Sequence, residues 1–92
     1  MITSQAINKL LRAEDLEGMI EAGAPGDEYV PEANRIAAAV NALSATQATE
    51  ENIVAIVALA WMQDFHLDES AMRDRAQGIR RVAQQIFIHL TH

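Results

Sequence analysis

Met72–Leu90 reads MRDRAQGIRRVAQQIFIHL, and its spacing decides the fold. Met72, Ala76, Ile79, Ala83, Ile86 and Leu90 alternate four and three residues apart, the seam of a helix that packs along its length. Val82 and Phe87 widen this seam. Ile88 lies off it, so it is expected to be exposed or to touch something outside the fold. The spacing predicts a helix over about 71–90, with Asp68 or Ser70 as its cap. Gly78 lowers its propensity.

Working back from this helix, Ile53 to Met62 is the longest apolar run in the chain. Its ten residues are about half of a bilayer span, so they read as a buried core helix. Thr49 is a good N-cap, and Glu50 and Glu51 place negative charge in the first turn, where the helix dipole favours it. The apolar side chains from Ile53 to Phe65 point in nearly all directions, which predicts a helix covered on most sides at the centre of the domain. A strand over Ile53–Val57 is open on β-propensity alone; the cap before it and the alanines after it argue against one.

Before that run, Gly23-Ala24-Pro25-Gly26 is the clearest punctuation. Pro31 suits the first turn of a helix from about Pro31 to Leu43, where its missing N–H is unsatisfied anyway. Ile36, Val40 and Leu43 form the apolar edge of this helix. Further back, Ile7, Leu10 and Leu11 share one helical face behind Thr3 or Ser4 as cap. Leu16, Met19 and Ile20 repeat the spacing. The five-residue step from Leu11 to Leu16 breaks the phase, so 3–22 is one kinked helix or two pieces with Asp15 capping the second.

Size limits the whole. Half of the 92 residues are apolar, and 17 of those are alanine, which leaves 29 larger apolar side chains. That builds one small core and not two. The expected fold is all-α: a compact bundle of four to five short helices with antiparallel neighbours, forming a single domain over 1–92.

Gly23-Ala24-Pro25-Gly26-Asp27-Glu28-Tyr29, followed by Pro31, Ile36 and Val40, resembles a small bacterial all-helical family of unknown function. In that family an Asp-Glu-Tyr motif follows a Gly/Ala/Pro loop and leads into a helix. A Glu-rich helix comes after a Ser/Thr linker, here Thr49-Glu50-Glu51. The resemblance covers about residues 14 to 70. The family's Trp-Asp-Pro-Ile-Gly stretch is matched by Glu14-Asp15-Leu16-Glu17-Gly18, which keeps Asp15 and Gly18 but lacks the Trp and Pro. The resemblance implies a compact helical domain and no activity.

Residues with chemical potential are few. The absence of cysteine excludes disulfides, thiolate metal sites and thiol catalysis. Asp64, His66, Asp68 and Glu69 lie within six residues, yet Asp64 and His66 sit roughly 200° apart around a helix and do not face each other. Asp68 and Glu69 are explained by the following cap. No metal and no cofactor are expected. Ser4, Ser44 and Ser70 stand at helix ends or in linkers without a nucleophile constellation, and Gly23 and Gly26 lack the Lys-Ser/Thr of a phosphate loop. An enzyme is therefore not expected. Trp61, the only tryptophan, reads as core.

Asp27, Glu28 and Tyr29 offer two carboxylates beside an aromatic ring, a pattern suited to a basic partner. The competing reading is local: Asp27 or Glu28 caps the Pro31 helix while Tyr29 packs its ring and keeps its hydroxyl wet. Charge is also uneven. The chain carries −6 overall, with −9 in the first 70 residues and +3 in the last 22. The acidic balance and the absence of aromatics among Arg73, Arg75, Arg80 and Arg81 argue against nucleic acid. The N-terminus lacks a signal peptide's basic start and apolar run, so a cytoplasmic protein with no membrane role is expected. Two functions follow. In one, the acidic surface binds a basic protein, as an inhibitor or immunity-type protein does. In the other, the chain is a structural unit that dimerises through Val82, Phe87 and Ile88.

Overall fold

Four helices follow one another in the computed structural model, which describes residues 1–15 and 29–91: α1 Ser4–Glu14, α2 Val30–Asn41, α3 Glu50–Phe65 and α4 Glu69–Thr91. No strand occurs among the described residues, Ile53–Val57 included. Local residues set several of the helix ends. Thr3 caps α1, its Oγ1 accepting the Ala6 amide at 3.1 Å. The helix stops at Asp15, which takes a left-handed backbone at φ 48° and returns its amide to the Leu11 carbonyl. The phase break after Leu11 thus marks a true helix end. The expectation of a helical piece over 16–22 falls outside the described residues. Pro31 occupies the first turn of α2.

Thr49 caps α3 by accepting the Asn52 amide, and Asn52 in turn donates to the Gln47 carbonyl at 2.7 Å. His66 ends α3 in the left-handed region. Of the two caps proposed for the last helix, Asp68 is used: its Oδ1 accepts the Ala71 amide at 2.8 Å.

The helices close a ring. α1 packs on α2, α2 on α3, α3 on α4 and α4 on α1, while α1 and α3, like α2 and α4, stand diagonally with no close backbone approach among the described residues. The body measures 37 × 27 × 18 Å, long enough for α4 and about two helices thick. Ile2, Ile7, Leu11, Tyr29, Ile36, Ile53, Val57, Trp61, Val82 and Ile86 are the large side chains sealed in its core. The N-terminus is tied across the bundle, the Ile2 amide donating to Asn41 Oδ1 and Asn41 Nδ2 to the Ile2 carbonyl.

Two sequence expectations need correction. The seam of α4 is broader than a heptad: Gly78, Ile79, Val82, Ala83 and Ile86 are buried, Met72 and Leu90 are half-buried, and Ala76 is exposed. This is the wide stripe of a helix resting on two neighbours instead of one. α3 is not covered on most sides. Ile53, Val57, Ala60 and Trp61 are buried, but Leu59 is 50% and Met62 42% exposed. Among the described residues, the helices whose backbones lie beside α3 are α2 and α4, and α1 stands diagonally across the ring.

Candidate docking surface

Of the acidic-aromatic motif, Asp27 and Glu28 lie outside the described residues, and Tyr29 is fully buried. Tyr29 sits at the N-cap of α2, makes no side-chain cap there, and packs its ring 5.5 Å from that of Trp61. Trp61 continues the stack to Phe65 at 4.9 Å. The Tyr29 hydroxyl is not wet: it donates to Asp15 Oδ1 at 2.8 Å. One side chain therefore ties the end of α1 to the start of α2 and to α3. Removing the hydroxyl by Tyr29→Phe keeps the ring contacts and breaks the tie. The expected loss is roughly 1–3 kcal/mol in urea unfolding, the range for a hydrogen bond to a carboxylate; a loss near zero would mean that water replaces Asp15.

The residues expected at a dimer interface separate. Val82 is 1% exposed and spent in the core of its own chain, and Phe87 is half-buried against that core. Only Ile88, 46% exposed, presents substantial apolar surface.

Asp64, read in the sequence with its neighbours, pairs with Arg35 of α2. Its other oxygen, Oδ2, is buried with no hydrogen-bond donor. Beside it lies Glu32, 4% exposed. Burial first, then the charge of Asp64, pushes the Glu32 carboxyl above its ordinary value of 4.5, against smaller opposing effects of its own backbone amide and of Arg35. A carboxyl raised in the fold holds its proton more tightly there than in the unfolded chain. Its stabilising contribution is complete below the ordinary value and is lost as pH rises through the raised one. Glu32→Gln removes this titration while keeping the shape. Its melting temperature is expected to exceed that of the parent at neutral pH, the gap closing toward pH 4.5. Parallel pH curves would mean that Glu32 is not raised by its burial beside Asp64.

The surface that remains is a stripe on α3. Ala55, Leu59 and Met62 are all exposed and stand four and three apart, one above the other on the helix. Half-buried Ile56, Ala58 and Phe65 border it. Exposed polar residues close both ends: Glu51 one turn before Ala55, His66 one turn after Met62, and the acids Asp68 and Glu69 just past the end of α3. α3 itself carries no Lys or Arg. An apolar strip with negative ends, left open by the fold, is the form of a helix-docking surface.

A groove between α1 and α4 has the opposite charge. Ala6, Leu10 and Ile88 give it an apolar lining, Lys9 and His89 flank it, and its volume is about 300 Å³. A second depression, of about 420 Å³, continues from Lys9 to Arg12 along α1. Among the described residues neither Lys9 nor Arg12 is in an ion pair, whereas Arg81 nearby is held by Glu14 at 3.0 Å.

No helix among the described residues is long and apolar enough to cross a membrane. No family model, no curated protein and no solved structure matches the chain.

Proposed function

We propose that this chain is a small acidic protein-binding domain that docks a basic partner on the α3 stripe, in the manner of an inhibitor or immunity-type protein. The observation that carries the reading is the exposure of Leu59 and Met62 in line with Ala55, on a helix without a cation. Burying large apolar side chains at the centre of a patch supplies most of an interface's energy, and charged ends supply orientation and association rate. The expected partner element is an apolar surface flanked by Lys or Arg, which an amphipathic helix with apolar residues three and four apart and cations at its ends presents in its simplest form. Asp27 and Glu28 add to the same negative balance. The reading is of a binding protein, with no cofactor, acting in the cytoplasm. The Gly23–Tyr29 motif supports a bacterial origin, and the short connection over 66–68 supports an antiparallel α3 and α4.

A designed helical peptide with Leu at i, i+4 and i+7 between terminal lysines tests this by calorimetric titration. Binding is expected that weakens as salt is raised from about 0.05 to 0.5 M, and it is expected to vanish in Leu59→Glu and Met62→Glu. Equal binding of a peptide with glutamates in place of the lysines, or unchanged binding by both variants, contradicts the reading. Ile88 favours a second reading, self-association, through the surface it leaves on α4.

A further inference from the structure

We infer that the partner of the α3 stripe is the α1/α4 groove of a second copy of this chain, so that copies join head to tail. The inference rests on the reading of α3 as a docking surface and names the occupant. The two surfaces complement each other in both respects that matter. The stripe offers Leu59 and Met62, and the groove offers Ala6, Leu10 and Ile88 to receive them. The stripe ends in Glu51, Asp68 and Glu69, and the groove is flanked by Lys9 and continues to Arg12, two cations with no ion pair among the described residues. The pairing also opposes the repulsion expected between chains that each carry −6, because it sets the unspent cations of one copy against the acids of the next.

The arrangement is heterologous. The stripe lies on α3 and the groove between α1 and α4, and the two share no residue. A copy docked through its stripe keeps its own groove open. Such contacts close into rings or continue as open chains instead of stopping at a two-fold dimer. This revises the role of Ile88: it receives α3 of a neighbour and does not meet Ile88 of a two-fold mate.

The test uses two variants. Leu59→Glu with Met62→Glu removes the stripe and keeps the groove; Lys9→Glu with Ile88→Glu removes the groove and keeps the stripe. Circular dichroism checks that both fold, and the milder pair Leu59→Gln and Lys9→Gln serves if either does not. In sedimentation equilibrium the parent chain is expected to grow past twice its 10.1 kDa mass as concentration rises. Each variant alone is expected to stay at the mass of one chain, and an equimolar mixture to form a species of twice that mass. Lys9→Glu by itself is expected to weaken association roughly ten-fold. A mixture that stays monomeric, or a variant that still dimerises with itself, overturns the inference. In either case the lysine-ended peptide decides separately on α3: binding by the stripe-bearing variant leaves the docking surface standing with another basic partner, and no binding removes both.

Discussion

Replacing Trp61 by alanine is expected to remove roughly 3–5 kcal/mol of stability, the range for deleting a buried aromatic side chain. Trp61 is fully buried and is the middle ring of a stack with Tyr29 and Phe65. Its loss leaves both neighbours facing a void where the start of α2 meets the end of α3. A domain of this size holds about 5–15 kcal/mol in all, so the variant is expected to be partly unfolded in mild urea. Trp61→Phe is expected to recover part of the loss, since it returns ring area but not the full volume. Urea titration followed by far-ultraviolet circular dichroism measures both. A loss under about 1 kcal/mol for the alanine variant would mean that the stack does not hold the bundle together.

The second large effect lies on α4 and separates two ways of seating it. Ile86 is fully buried, so Ile86→Ala is expected to cost roughly 2–5 kcal/mol. Ala76 belongs to the same four-three seam in the sequence but is exposed in the fold, so Ala76→Gln is expected to stay within about 0.5 kcal/mol of the parent. A strict heptad seam would make Gln at 76 a buried amide with a clear penalty. The same denaturation series distinguishes the two, and a large loss at 76 would restore the narrow seam.

These positions show what the sequence could and could not express. Caps were legible because they depend on a few adjacent residues: Thr3, Thr49 and Asp68 each accept the amide three positions on. The end of α1 was legible as a phase break after Leu11, although Asp15 serves as the left-handed end of that helix. The open face of α3 was not legible. Apolar residues surround that helix, so periodicity carries no direction, and the exposed face was decided by which helices stand next to it. Polar Glu51 and His66, in line with Ala55, Leu59 and Met62, were the only hint, and both also read as helix-end residues.

Tyr29 misled for a related reason. A tyrosine beside two acids reads as surface, but its hydroxyl finds Asp15, fourteen positions back, and that partner lets the whole ring enter the core. Glu32 carried no signal, because the Asp64 carboxylate beside which it is buried lies thirty-two residues later and on another helix. The groove needed two helix faces from opposite ends of the chain. Lys9 and Leu10 meet Ile88 and His89 only once α1 has packed on α4.

The central claim is that α3 offers the docking surface, and amide chemical-shift mapping tests it most directly. The nitrogen-15-labelled Lys9→Glu, Ile88→Glu chain, which keeps the stripe and is expected to stay at the mass of one chain, is titrated with the lysine-ended helical peptide. The account predicts that the largest shifts fall at Ala55, Leu59, Met62 and their α3 neighbours, with the α1/α4 groove unmoved. Shifts centred on the groove, or spread evenly over all four helices, would contradict it.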